Sequence, residues 1–522
     1  MALLSSDETA SIVPLDGDEE LKEPFGARPR VIAEAPLGAA AARGFYWQSS
    51  LSVLSKIISM VSQIVLSWFL SSTDFGLISN STTFASAIWL IQDGGLLHIL
   101  IKRRRFGVWA TPIFWLTVYL GLTTAVLVAL AGFIAAKSMH EHALCGLMLI
   151  LALRGILSSP SIVPIAQVTR DMRFALLATV GTTMVALERG LAIFLTLPWL
   201  HWGAYGVIIA MTIVSGVRTV VFWWYARTPI RKAQRIHRWK YVARDNLLLL
   251  MSQSFQYVTS MGDNLLMAFF CTPNIVGDYY WAFNLSMQTT MLLTYNLGGV
   301  LYSTLTRLQR EPARMRQAFV RAARMLTMIG IPGCFLQAAM ARPLVEFFFK
   351  HRWDSAIPAL QVLSIGMAMS LINIPAISLI RAQGRFATER TMAGICAGIF
   401  LIAAFCGASL RSSLTMAIAV AIYNVIAGTL YVSVALEGEW QITASIFAWP
   451  LILASLAIAC GYVVARQIPL TSRLQCIEQM LVLAAVATPL YMLGAWKLMP
   501  DVWAEAKHHL RPILRRLRLR RA

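Results

Sequence analysis

Charge is what this chain has least of. Only 13% of its 522 residues are Asp, Glu, Lys or Arg, against 57% hydrophobic, whereas soluble domains carry about 25% charged residues. A soluble enzyme is thereby excluded. Long polar connections are missing too. No stretch between apolar segments can hold a soluble domain, and no G-x-x-x-x-G-K-[ST] loop is present, so the chain carries no nucleotide-hydrolysing unit of that kind. The seven cysteines, Cys145, Cys271, Cys334, Cys396, Cys406, Cys460 and Cys476, form no C-x-x-C pair. They read as small apolar packing residues rather than zinc ligands. The eight histidines lack metal spacing, and on a helix His140 and His142, two apart, would point in different directions. The first 44 residues are polar and acidic and lack the basic patch and short apolar core of a secretory signal. They are expected to be a disordered extension.

Apolar length is what the chain has instead. A spanning helix needs roughly 20 apolar residues. Fourteen stretches qualify, near 45–70, 74–99, 108–136, 142–163, 174–197, 203–225, 245–270, 276–302, 322–349, 356–380, 391–409, 412–436, 444–465 and 475–498. They are long and continuous, which excludes the short alternating segments of a membrane barrel. The expected fold is an all-α polytopic membrane protein.

The net charge of +20 invites a nucleic-acid reading, but its distribution argues against one. The even-numbered loops hold 22 Lys and Arg, the odd-numbered loops 7 and the two tails 12. Cytoplasmic loops carry the Lys/Arg excess. Both termini and the even loops are therefore expected in the cytoplasm, which requires an even number of spans. The loop Glu437-Gly438-Glu439 is the misfit, an even loop without a basic residue. The C-terminal tail, with seven Lys and Arg from Lys507 to Arg521 and a one-sided Leu510, Ile513, Leu514, Leu517 pattern, reads equally as a solvated tail or a helix on an anionic membrane surface.

Four basic residues remain inside spans: Lys56, Arg154, Arg189 and Arg218. Each costs about 2.5–3.5 kcal/mol at the centre of a spanning helix, so all four are candidates for a polar substrate path through the first six helices. Lys56 lies 11 residues into its span, about 16 Å at 1.5 Å per residue and near the middle of a core about 30 Å thick. Arg154 is similarly deep. Arg189 and Arg218 lie nearer the ends, where they can snorkel. The carboxylates inside spans are Asp93, Glu188 and Asp263, candidates for carrying H⁺ or Na⁺, with pairing to the four cations as the plainer alternative. A cavity with more cations than carboxylates suits an anion.

The sequence also repeats itself. Asp74-Phe75 leads to Gly94-Gly95 and Arg103; Asp278-Tyr279 leads to Gly298-Gly299 and Arg307, at equal offsets. Pro164, Arg170 and Arg173-Phe174 are matched by Pro375, Arg381 and Arg385-Phe386. Two copies of one membrane unit are the build of many transporters, with the substrate between the halves. Pro160 and Pro164 in the fourth span and Pro375 in the tenth are expected to bend those helices. The predicted organisation is an extension over 1–44, a six-helix bundle over 45–226, a basic linker over 227–244, a second six-helix bundle over 245–436, two extra helices over 444–498 and a basic tail over 499–522.

The run Leu70 to Leu77, then Gly94-Gly95-Leu96 with Lys102-Arg103-Arg104, resembles the opening of the polysaccharide/O-antigen exporter (flippase) family. Pro164 to Phe174, Gly262-Asp263, Val276 to Tyr280, Pro332, Trp353 to Ala356 and Ala382 to Arg385 extend the likeness over about residues 45–435. The resemblance implies the multidrug/oligosaccharidyl-lipid/polysaccharide superfamily: two facing six-helix bundles, often with two extra helices, and no enzymatic activity. It implies as cargo an undecaprenyl-linked sugar or related polymer crossing the bacterial inner membrane, with cavity cations meeting its diphosphate. Membrane lipids, and a glycan polymerase or glycosyltransferases, are the implied partners. Rival readings are a peptidoglycan-precursor flippase or a drug/cation antiporter of the same superfamily, a membrane enzyme, and a non-transporting scaffold for glycan synthesis. Four buried cations count against a cation exporter, and the short odd loops against a membrane enzyme.

Overall fold

The computed structural model of the chain describes residues 37–504 except 94, 103–105, 201, 227, 229, 231–238, 295–296 and 471. The described residues form helices and no strand. In chain order they are α1 (Leu37–Phe69), α2 (Ser72–Asp93), α3 (Leu96–Lys102), α4 (Phe106–Met139), α5 (His142–Ser158), α6 (Ile162–Arg170), α7 (Phe174–Leu195) and α8 (Gly203–Ala226). The second half has α9 (Trp239–Phe270), α10 (Pro273–Thr294), α11 (Leu297–Arg307), α12 (Pro312–Phe349), α13 (Ile357–Ser370), α14 (Asn373–Ala382), α15 (Phe386–Ser409) and α16 (Ser413–Ala435). α17 (Trp440–Ala465) and α18 (Arg473–Leu498) follow and pack on each other and on α12.

Ten described segments are long and apolar enough to cross a membrane, one of them the composite stretch Pro312–Ala382. The expected count of fourteen is therefore met only in part. α2, α9 and α10 occupy three expected spans but are not among the ten. They carry Ser79, Asn80, Ser81, Thr83, Asp263, Asn264 and Asp278, all buried. These helices face protein, where polar side chains find partners, and so lose the apolar signature. α1 starts at Leu37, inside the stretch expected to be disordered, and α12 starts ten residues before its expected span.

The repeat is visible in the backbone. In the first half a short 3₁₀ turn, Ser159–Ser161, containing Pro160, separates α5 from α6; in the second, α13 and α14 break just before Pro375. α6 and α14 then end in the same turn. The Arg173 amide bonds to the Val168 carbonyl and the Arg385 amide to the Ile380 carbonyl, both at 3.1 Å. Arg173 (φ −81°, ψ 53°) and Arg385 (φ −84°, ψ 52°) precede α7 and α15 in matching conformations. The residue before each arginine is left-handed: Met172 at φ 52° and Gly384 at φ 74°.

The repeated aspartate has a local job in the first half. The Ser71 amide donates to Asp74 Oδ2 (2.9 Å) and the Asp74 amide to Ser71 Oγ (3.2 Å). This reciprocal pair caps α2. Asp74 Oδ1 also accepts from the Ala204 amide (3.2 Å), tying the start of α8 to α2.

The end of the molecule carrying the α2–α3, α6–α7 and α10–α12 connections is the basic end; the opposite end, with the α1–α2 and α9–α10 turns, is the far end. The misfit loop at Glu437–Glu439 lies at the basic end and is compensated from neighbouring elements. Arg316 of α12 pairs with Glu439, and Arg385 approaches Glu437 at 3.6 Å.

Candidate functional site

The buried apolar residues group into three clusters. The largest joins the far-end parts of both halves: Leu66, Leu70 and Phe75 with Val276, Trp281, Val345 and Trp353. At the basic end the halves have separate clusters, one around Leu96, Leu100 and Ile113, the other around Phe319, Leu379 and Tyr431. The halves thus share one apolar core at the far end and have separate apolar cores at the basic end, where the start of α9 still touches the first half: the Trp239 indole N–H donates to the Pro112 carbonyl of α4 (3.1 Å).

Glycines let the far end close. A Cβ on Gly277 would fall 2.9 Å from the Gly76 nitrogen and closer still to the Ser72 carbonyl oxygen; one on Gly76 would meet the Pro273 carbonyl. α2 and α10 therefore touch backbone to backbone at their starts. Around them the last two turns of α1 are held by the second half. The Trp281 indole N–H donates to Ser67 Oγ (2.7 Å) and that of Trp353 to the Ser67 carbonyl (3.3 Å). Trp68 donates to the Phe348 carbonyl (2.9 Å), and Arg352 to the Trp68 and Phe69 carbonyls. Trp281 and Trp353 stack at 4.7 Å, and Phe75 meets Trp353 edge-on at 5.4 Å.

Below this latch runs a buried polar seam between α2, α9 and α10. Tyr279 Oη donates to Asp263 Oδ2 at 2.6 Å, and Asp263 Oδ1 accepts from the Asn264 backbone (2.8 Å) and side-chain (3.1 Å) N–H groups. Ser79 of α2 donates to Asn264 Oδ1 at 3.0 Å, carrying the network across the two halves. One turn further on, Tyr257 donates to the Thr83 carbonyl at 2.6 Å. Asp263 is 1% exposed. Its carboxylate is satisfied by neutral donors, with no ion pair among the described residues.

The four cations have four different surroundings. Lys56 is half-buried on α1, about 10 Å along the axis from Gln63, and α1 packs on α7, where Thr182 donates to the Leu51 carbonyl (3.1 Å). Arg189 is half-buried on α7. Its Nε is buried without a hydrogen-bond partner among the described residues. Arg154 is packed within the first bundle, 5.1 Å over the Trp89 ring and 4.0 Å from Met211 Sδ. A cation held on an indole face in this way is partly compensated. Arg218 is exposed on α8 beside the apolar stripe Ile213, Val217, Val220 and Trp224. It lies 5.8 Å over Phe222, one turn nearer the basic end, the direction expected of a snorkelling arginine. Of the carboxylates, Glu188 is half-buried with no ion pair among the described residues, and the Asp93 side chain lies outside the described residues.

Arg189 and Lys56 thus belong to the two adjoining helices α7 and α1. Arg154 and Arg218 are turned to other surroundings. The sequence reading missed Tyr279, Asn264 and Ser79 as partners of Asp263, and Ser67, Trp281 and Trp353 as the latch. The polar pair Asp263-Asn264 inside an apolar span was the signal available for the seam; partners 16 and 185 positions away carry none.

The family model described as polysaccharide biosynthesis protein matches residues 65–358. The chain belongs to that family. It is 22% identical over 347 residues to the lipopolysaccharide biosynthesis protein WzxC of Escherichia coli (strain K12), covering 66% of this chain and 70% of that protein. It is 20% identical over 343 residues to an uncharacterized membrane protein in the cps region of Klebsiella pneumoniae, covering 65% and 70%. Among solved structures, the lipid II flippase MurJ in an inward closed conformation matches with a TM-score of 0.69 at 12% identity, covering 87% of this chain and 99% of that one. An inward-facing multidrug resistance MATE family transporter matches with a TM-score of 0.53 at 14% identity, covering 77% and 98%. The chain is a multi-pass helical membrane protein of the polysaccharide biosynthesis family, with the fold of those flippase and transporter structures.

Proposed function

We propose that this protein flips a polyprenyl-diphosphate-linked oligosaccharide or polysaccharide across the bacterial inner membrane by alternating access. Its basic end and both termini lie in the cytoplasm, where the Lys/Arg excess belongs. The observation that carries the reading is Arg189 on α7, which packs on α1: a guanidinium whose buried Nε has no hydrogen-bond partner among the described residues. An unsatisfied buried donor is costly, and a diphosphate would satisfy it with charge-assisted bonds about twice as strong as neutral ones. Lys56 on the adjoining helix supplies a second cation to the same head. The lipid tail stays in the bilayer between the bundles, and Arg154 and Arg218, turned to other surroundings, take no direct part in holding the head. The names of the relatives, a lipopolysaccharide biosynthesis protein and a lipid II flippase, point to the same class of cargo.

A shared apolar core at the far end with separate apolar cores at the basic end is the state proposed to receive cargo from the cytoplasm. The return step requires an energy source, and binding must differ between the two states for any ligand to drive it. Asp263 in the α2–α9–α10 seam is the proposed carrier of a coupling H⁺ or Na⁺, because it bridges to both halves through Asn264 and Ser79; Asp93 and Glu188 are secondary candidates. The enzymes that build and polymerise the glycan are the expected partners. The test is binding of an undecaprenyl-diphosphate sugar to purified protein. Arg189→Gln should weaken it by about tenfold, the worth of about one charge-assisted bond. Equal affinity would remove Arg189 from the site and with it the main support for a diphosphate head.

A further inference from the structure

A second basic feature lies away from the central path. At the basic end, Arg316, Arg321 and Arg324 of α12 line a cleft of about 770 Å³ closed on its other sides by the start of α17 and the segment after α18, with Glu439 and Asp501 on its wall. Arg316 and Arg324 are eight residues apart, about 12 Å along the helix. Arg324 is fixed by a 2.9 Å bond from Nη2 to Ser445 Oγ, and Arg316 is held by Glu439. The lining therefore carries three cations against two carboxylates. Ala504, the last described residue, is on its wall.

The depth of the cleft is also marked. Trp440, beside Glu439, is 64% exposed, and exposed tryptophans mark the headgroup level of a membrane. From there α17 presents Trp449, Ile452 and Leu456 outward, one apolar stripe at helical spacing that runs away from the cleft toward the far end. A cationic cleft at headgroup depth, continued by an apolar stripe along the bilayer, has the shape of a phospholipid.

We propose that the α12–α17–α18 cleft seats the phosphate of an anionic membrane lipid, with its acyl chains along the outer face of α17. Planar guanidiniums grip phosphate through paired N–H bonds. Glu439 competes for Arg316, so the site is tuned below its full strength. Seating a lipid there would brace the two extra helices against α12. The proposal stands apart from the flipping reading: it concerns a resident lipid outside the path between the halves.

The test is native mass spectrometry of the full chain in mild detergent, titrated with phosphatidylglycerol, phosphatidylcholine of the same chains, and inorganic phosphate. The wild type should retain one phosphatidylglycerol at least tenfold more tightly than phosphatidylcholine. A cationic side chain near the headgroups contributes about fivefold, so Arg316→Gln/Arg321→Gln/Arg324→Gln should lose about a hundredfold. Glu439→Gln, which frees Arg316, should gain about fivefold. Arg411→Gln, in the α15–α16 turn at the far end, should change nothing. Equal retention by the wild type and the triple variant would overturn the proposal, as would equal binding of the two lipids. Phosphate binding without any lipid preference would overturn the lipid assignment in favour of a soluble anion. If the triple variant does not fold, Glu439→Gln decides alone: tighter retention supports the site, and unchanged or weaker retention overturns it.

Discussion

Replacing Gly277 by alanine tests the far-end closure where it is tightest. The added Cβ would lie 2.9 Å from the Gly76 nitrogen and nearer still to the Ser72 carbonyl oxygen. Both obstacles are backbone atoms, so no side chain can swing away, and α2 and α10 must separate instead. Overpacking of a closed interface costs about 1–3 kcal/mol. The penalty falls on the far-closed state alone, because in a far-open state the two helix starts no longer touch. At 1.4 kcal/mol per tenfold, the closed-to-open ratio should drop by about 5- to 150-fold. The assay is double electron–electron resonance between spin labels on Trp199→Cys and Leu410→Cys, both exposed in far-end turns of opposite halves, with the native cysteines replaced. Gly277→Ala should enlarge the long-distance population. Gly394→Ala is the control: it lies within α15 with nothing within 4 Å of its Cβ position. Unchanged distances in Gly277→Ala would refute backbone contact between α2 and α10 as the seal.

Four further variants test the seam and the repeat. Asp263→Asn keeps the shape of the network but removes its charge, and should abolish the dependence of transport on a proton or sodium gradient in liposomes; a variant that still responds would exclude Asp263 as the carrier. Tyr279→Phe deletes the 2.6 Å donor to the same carboxylate and should cost about 1–3 kcal/mol of stability in denaturation. Gly384→Ala should cost about 1–2 kcal/mol because φ is +74° there although nothing lies within 4 Å. Met172→Gly, at the matching position with φ +52°, should cost nothing; equal losses at both sites would show that the two turns are not equivalent.

What the sequence disclosed was local. The proline, arginine and phenylalanine spacings of the two α6-type turns are short-range, and the same spacing builds the same hydrogen bonds twice. The all-α membrane class followed from apolar length. The charge asymmetry singled out the Glu437–Glu439 loop as odd, and the structure supplies the cause: Arg316 and Arg385 arrive from helices distant in sequence. What stayed hidden was long-range. Arg154 reads as cavity-lining because of its depth, yet it lies over Trp89, 65 positions earlier. The latch pairs Ser67 with Trp281 and Trp353 across more than 200 positions. No periodicity encodes such contacts, because they depend on how whole bundles meet. Arg189 reads from sequence as nearer a span end and able to snorkel; the burial of its Nε without a hydrogen-bond partner among the described residues is what distinguishes it.

The most direct test of the central claim is dithionite-quench flipping of a fluorescent undecaprenyl-diphosphate sugar in liposomes, comparing the wild type, Arg189→Gln and Lys56→Gln/Arg189→Gln at equal reconstitution. The account predicts flipping by the wild type, a reduction of about tenfold in the single variant and near-background rates in the double variant, with folding intact. Wild-type rates in the double variant would contradict a diphosphate head held between α1 and α7.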